Sequence, residues 1–207
     1  MIGVFGGTFD PIHLGHLRPV LEVHQALQLE RTHFIPCRIP VHRTPPLADA
    51  STRLAMVRLA VEQVQGFVAD DRELNRQSPS YMVDTLVSLQ QDFPTDSLCL
   101  LLGADAFAQF EQWKSWRRIL QLANLLVMRR PSGMPLDLAE DLRARVTAEQ
   151  KVFRASQAGR ILFFDVTLMD ISATRVRQAV MEGKAIRYWV TDKVCEFIAD
   201  KKLYKSK

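Results

Sequence analysis

The chain is short of cysteine, and what it has is scattered. Cys37, Cys99 and Cys195 are odd in number and far apart, so neither a disulfide framework nor a zinc knuckle follows from their spacing. Two of them sit in apolar, strand-like runs, where a buried free thiol is the expected state, and a reducing compartment is the expected home. No apolar run approaches the about 20 residues that a spanning helix needs. No leader-like stretch separates Met1 from the first strand-like run, so a cytoplasmic chain with no membrane association is expected. Charge of one sign is missing too: 27 Lys and Arg stand against 23 Asp and Glu, a net charge of +4. That is too mild a bias for DNA, although it suits an anionic small molecule. A basic, aromatic-rich extension of the kind RNA binders carry is absent, and nucleic acid is not an expected partner. Neither the dinucleotide fingerprint GxGxxG nor a P-loop GK[ST] occurs, and no triad-like arrangement offers a nucleophilic side chain.

What is present is an ordinary globular composition, 47% hydrophobic and 24% charged over 207 residues. That allows a sizeable core and fits a single domain, 1–207, whose last part from about 172 onward is helical. Short apolar runs alternate with longer amphipathic ones. MIGVFG, RTHFIPC, FVAD, SLCLLLG, NLLVMRR and RILFFDV read as strands. Helices are expected over Leu14–Leu29, Thr52–Val64, about Ser80–Asp92 and Asp192–Lys202, with Pro19 acceptable only in a first turn. Asp49 or Ser51 can cap the second of these. Charged, helical text from about Pro131 to Gly159 reads as a peripheral excursion on the surface. Strand alternating with helix implies an α/β fold: a Rossmann-like, doubly wound, mostly parallel sheet with helices on both faces. Ligands of such sheets bind beyond the carboxyl ends of the strands, and every unusual stretch here falls at one.

The first such stretch is GGTFDPIHLGH, Gly6 to His16. Glycines allow the backbone close to a phosphate, and a helix N-terminus favours anions. Gly6, Gly7, Thr8 and Phe9 form the turn. His13 and His16, three residues apart, share one side of the helix opening. Two imidazoles there can donate to phosphate oxygens, more strongly if protonated. A metal site and a packed histidine pair remain alternative readings of HxxH. The second stretch is ISATRVR, Ile171 to Arg177. Ser172 or Thr174 can cap its helix, leaving N–H groups for an anion, and Arg177 shares a face with Thr174. A plain capped helix with solvated arginines is the alternative. His24 and His33 have no such company and read as surface or packing residues.

The two stretches together resemble the nucleotidyltransferase superfamily, which is related through HxGH to the class I aminoacyl-tRNA synthetases. SPSYMVDTL, GADAF, FEQWKSW and, in the loop after the second strand, VHRTPP are similar to the bacterial nicotinate-mononucleotide adenylyltransferase family. Val41 stands where that family often has proline, and Lys114 where it often has an aromatic residue. The similarity covers nearly the whole chain apart from about 131–159. It implies transfer of the adenylyl group of ATP to nicotinate mononucleotide, giving nicotinate adenine dinucleotide and pyrophosphate in NAD biosynthesis. His13, His16 and Arg177 would be the catalytic donors. Gly6, Gly7, Thr8, Phe9, Gly103, Asp105, Ile171, Ser172 and Thr174 would bind ATP, with Asp105 on ribose hydroxyls. His42, Arg43, Tyr81, Thr85, Trp113 and Lys114 would bind the mononucleotide, the tryptophan by stacking on the pyridine ring. Mg²⁺ is implied as cofactor, carried mainly on the ATP phosphates rather than in a protein cage. Nicotinamide mononucleotide or phosphopantetheine as acceptor, and a non-catalytic nucleotide-binding relative, are the competing expectations.

Overall fold

The computed structural model describes residues 1–39, 45–130 and 138–205. In chain order its elements are β1 (Ile2–Gly7), α1 (Leu14–Ala26), β2 (Arg31–Pro36), α2 (Ala50–Val61), β3 (Phe67–Ala69), α3 (Met82–Asp92), β4 (Leu98–Gly103) and α4 (Ala104–Phe107). A single 3₁₀ turn (Phe110–Gln112) leads to α5 (Trp116–Leu122), β5 (Ala123–Arg129), α6 (Glu140–Arg143), α7 (Gln150–Ala155), β6 (Ile161–Asp165), α8 (Ala173–Met181) and α9 (Asp192–Asp200). The six strands form one sheet in the order β3-β2-β1-β4-β5-β6. This is the Rossmann-like, doubly wound order, in which the chain reverses direction of growth between β1 and β4. The pairs β1–β4, β4–β5 and β5–β6 are parallel, with Ile2 opposite Leu98 and Leu98 opposite Ala123. β4 earns its central place by composition: Leu98 to Leu102 are all buried, as strands covered on both faces must be.

The chain resolves into two compact units. One comprises Met1–Phe5, Pro19–His33 and Tyr81–Thr167; the other comprises Gly6–Arg18, Phe34–Ser80 and Leu168–Lys207. In the first, Leu100, Leu101, Leu125 and Leu126 form the strand core, and Phe107, Phe110, Trp116 and Phe153 are buried around it. Phe107 packs against Phe110 and edge-on to Phe163. The fully buried Asn124 is satisfied on both sides, donating to the Ser156 carbonyl and accepting from Arg160 N–H. In the second unit Val57, Phe34, Phe67, Val176 and Val194 are buried, and Phe34 packs on Phe67.

The expected elements are all present, with shifted ends. α1 stops at Ala26 rather than Leu29 because Gln28 turns left-handed (φ 49°) and Leu29 N–H folds back to the His24 carbonyl, the usual geometry of a helix end. Pro19 lies buried inside α1, beyond the first turn expected for it. Its missing N–H forfeits the bond to the Gly15 carbonyl. α2 begins at Ala50: Asp49 is the cap, accepting from Thr52 N–H at 2.7 Å. Ser51 donates to that same carboxylate instead of capping, and these bonds hold the Asp49 carboxyl down at about 2. α3 starts at Met82 and α9 ends at Asp200, each two residues inside the expected bounds. Most of the expected excursion lies among the described residues, and it is mostly exposed beside the edge strand β6, with two anchors in the interior. Leu142 and Phe153 are buried, and Val146 bridges to Ile161 at the start of β6. No described helix is long and apolar enough to cross a membrane. The three cysteines are free, and burial raises the Cys99 and Cys37 thiols above their ordinary range.

Candidate active site

In the second unit β1 runs out through Gly6 and Gly7, and the chain turns at Phe9, whose φ is 49°. Gly7 has ordinary backbone; what demands glycine there is the Phe9 ring, 2.7 Å from where a Cβ would stand. The left-handed residue is thus the phenylalanine and not either glycine. Its buried ring meets His16 edge-on at 5.2 Å. That edge is one wall of the histidine pair.

His13 and His16 stack face to face, 3.7 Å between centroids and 23° between planes. The spacing of three that put them on one side thus brings the rings into contact. His13 N–H donates to His16 Nδ1 at 3.3 Å, which leaves the His16 proton on Nε2 and that nitrogen as the donor. His13 is only 4% exposed, and its Nδ1 has no hydrogen-bond partner among the described residues. Burial pushes its pKa down to about 4. The expected gain from protonation is therefore not available to His13 near neutral pH. Near neutral pH it is a neutral imidazole.

The second motif is built against the first within this unit. Ser172 caps α8, accepting from Arg175 N–H at 3.3 Å, so of the two candidate caps it is the serine that serves. Thr174 Oγ1 instead accepts from Arg177 Nη2 at 3.2 Å. Arg177 Nη1 donates to the Asp10 carbonyl at 2.6 Å and lies 3.8 Å from Asp10 Oδ2. Gly15 is where the two motifs touch. A Cβ there would stand 3.0 Å from both His13 Nδ1 and the Ile171 carbonyl. Arg175 is occupied elsewhere, bonded to Asp170 and set over the Trp189 ring.

Three further residues of this unit were given no site role from the sequence. Asp10 is buried and accepts from Leu47 N–H, Ala48 N–H and the Tyr204 hydroxyl. Arg53, 1% exposed, donates to the carbonyls of Thr8, Cys37, Arg38 and Ala48, which pins the turn to the end of β2. Tyr204 closes the set. The only available signal was Asp10 inside the first motif, because backbone carbonyls leave no mark in a sequence.

The first unit holds the other predicted group. Tyr81 precedes α3, and Lys114 Nζ stands 4.0 Å over its ring, a cation–π contact. Thr85 is fully buried and donates to the Tyr81 carbonyl at 3.4 Å, so it braces Tyr81 rather than presenting a hydroxyl outward. Trp113 is half-buried beside Phe110, at 5.8 Å, while Trp116 belongs to the core. Gly103 ends β4, and a Cβ there would meet nothing within 4 Å among the described residues. Asp105 is exposed on α4. His24 is bonded to Thr32, and His33 packs against Phe93. His42 and Arg43 lie outside the described residues. Among the described residues no three His, Cys, Asp or Glu side chains converge to hold a metal ion.

The cytidylyltransferase-like family model matches residues 4–179, most of the chain. A curated relative from Methylococcus capsulatus, named "Probable nicotinate-nucleotide adenylyltransferase", is 43% identical and covers 99% of both chains. The chain belongs to the nicotinate-nucleotide adenylyltransferase family. Another curated relative of that name, from Halorhodospira halophila, is 42% identical over 96% of this chain and 93% of its own. The fold of the nicotinate-nucleotide adenylyltransferase family is also that of more distant proteins. The nicotinic acid mononucleotide adenylyltransferase of Plasmodium falciparum, solved with APC, superposes with a TM-score of 0.73 at 15% identity, covering 98% of this chain and 96% of that one.

Proposed function

We propose that the chain transfers the adenylyl group of ATP to nicotinate mononucleotide, forming nicotinate adenine dinucleotide and pyrophosphate. The observation that carries the reading is the stacked His13–His16 pair, in a motif to which Arg177 is tied through the Asp10 carbonyl. An attacking phosphate is already largely ionised near neutral pH, since its second pKa is about 6. It needs no general base. One of its oxygens bonds to the α-phosphorus while the bond from that phosphorus to the bridging oxygen breaks. The electron pair leaves with pyrophosphate. What the protein must supply is position and stabilisation of charge on the oxygens involved.

His16 Nε2–H, His13 and Arg177 donate to the phosphate oxygens. The N-terminus of α8, with Ser172 as its cap, receives the outer phosphates, helped by Ile171 and Thr174. Gly6, Gly7, Thr8 and Phe9 border the triphosphate, and Gly103 and Asp105 take the ribose side. On the acceptor, Trp113 stacks on the pyridine ring, while Tyr81 and Lys114 receive the carboxylate. Thr85 holds Tyr81 for that task, and His42 and Arg43 are assigned to the mononucleotide phosphate. When bound, Mg²⁺ would offset negative charge on the triphosphate, held by substrate oxygens and water rather than by a protein cage. Three free cysteines fit a cytoplasmic enzyme.

Pyrophosphate release from ATP with each of three acceptors tests the reading. Release with nicotinate mononucleotide and much less with the amide or phosphopantetheine is expected. Equal efficiency on acid and amide overturns the carboxylate assignment, and no release with any acceptor overturns the reaction.

A further inference from the structure

We propose that Tyr204, at the far end of the chain, is a positioning residue for the transfer, acting through Asp10 on Arg177. The proposal rests on the role just given to Arg177.

Four groups converge on Asp10. The Tyr204 hydroxyl donates to Oδ1 at 2.7 Å, across 194 positions of sequence. Leu47 N–H donates to Oδ2 at 2.8 Å and Ala48 N–H to Oδ1 at 3.2 Å. Arg177 grips the same residue by its carbonyl, at 2.6 Å, with its guanidinium 3.8 Å from Oδ2. A buried carboxylate is costly unless its lone pairs are used, and among the described residues Tyr204 supplies one of three hydrogen bonds to its oxygens. Burial and the adjacent Asp10 carboxylate both push the phenol up, so it remains a donor at any working pH.

The tail is shaped for this contact. α9 ends by folding Leu203 N–H back to the Ile198 carbonyl. Both Lys202 (φ 51°) and Tyr204 (φ 59°) then adopt left-handed backbone without being glycine. Such residues are strained and persist where surrounding contacts fix them. The contact that fixes Tyr204 is its buried hydroxyl on Asp10. Tyr204 touches no reacting atom. It sets the carboxylate, the carboxylate and its carbonyl set Arg177, and Arg177 meets the charge that develops on the phosphate.

Loss of the hydroxyl should therefore appear in the transition state more than in ground-state binding. Tyr204→Phe, assayed by pyrophosphate release at a temperature where melting curves show it fully folded, should lower kcat about tenfold, the size of one weakened charged hydrogen bond. KM for ATP and for the mononucleotide should each stay within about twofold. In an Arg177→Lys background the same change should cost less than about twofold, because the group it positions is already altered. An unchanged kcat, or the same loss in both backgrounds, overturns the proposal while leaving the reaction intact. A wild-type enzyme that releases no pyrophosphate overturns the reaction and the proposal together.

Discussion

At the scale of single residues, the chemistry depends on which nitrogen of His16 carries the proton. His13 N–H occupies Nδ1, so Nε2–H is the one donor that His16 can aim at a phosphate. His16→Ala should lower kcat by about 10²- to 10³-fold, the loss typical of a transition-state charge donor, in steady-state pyrophosphate assays of folded protein. A variant of near wild-type turnover would remove His16 from the mechanism. His13 makes a different prediction, about stability. Its pKa falls from 6.5 to about 4 through burial, so between those values the unfolded chain binds the proton and the folded one does not. Stability therefore rises with pH across this window and is lost as pH falls from about 6.5 to about 4. The full swing is about 3 kcal/mol, taking about 1.4 kcal/mol per pKa unit. Urea titrations at pH 7, 5.5 and 4.5 should show a flatter profile for His13→Gln than for wild type; parallel profiles would mean that the imidazole is solvated.

At the scale of elements, the first turn of α1 approaches the residue ahead of the α8 cap because Gly15 has no side chain. Gly15 sits in the first turn of α1, where alanine would ordinarily stabilise the helix by about 1 kcal/mol. Here the Cβ would press on His13 Nδ1 and on the Ile171 carbonyl. Gly15→Ala should therefore fail to raise the melting temperature and should lower kcat about 10- to 100-fold, since small misplacements of reacting groups are expensive. A more stable enzyme with full activity would show that the two motifs can part without consequence. The motifs were legible in sequence for a more local reason. His13, His16, Ser172, Thr174 and Arg177 act through spacings of three within one helix opening each, and such spacings survive in a string of letters. Asp10, Arg53 and Tyr204 do not act that way. Arg53 works mainly on backbone carbonyls, and Tyr204 finds Asp10 only once the chain is folded.

At the scale of the molecule, alternation of strand and helix was enough for the fold class, because each strand run was apolar and each helix run periodic. The ends of elements were not, because left-handed residues such as Gln28 decide them and glutamine carries no turn signal. Nor was the burial of Leu142 and Phe153, two apolar residues in charged text that looked like surface. The residues assigned to the two substrates fall largely in different units. His13, His16, Ser172, Thr174 and Arg177 are in the unit that holds Gly6–Arg18 and Leu168–Lys207, whereas Tyr81, Trp113 and Lys114, and also Gly103 and Asp105, are in the other. Each substrate alone should then leave its own mark in hydrogen–deuterium exchange. Mg²⁺–ATP should slow exchange at residues 6–18 and 171–177, with α6 and α7 unaffected. Nicotinate mononucleotide should slow exchange around residues 81–85 and 113–116. Ligand binding protects where it stabilises, by RT ln(1 + [L]/Kd) for the segments that open only in the free protein. Protection of 6–18 by the mononucleotide alone, with none from ATP, would reverse the assignment of the two substrates to the two groups of residues.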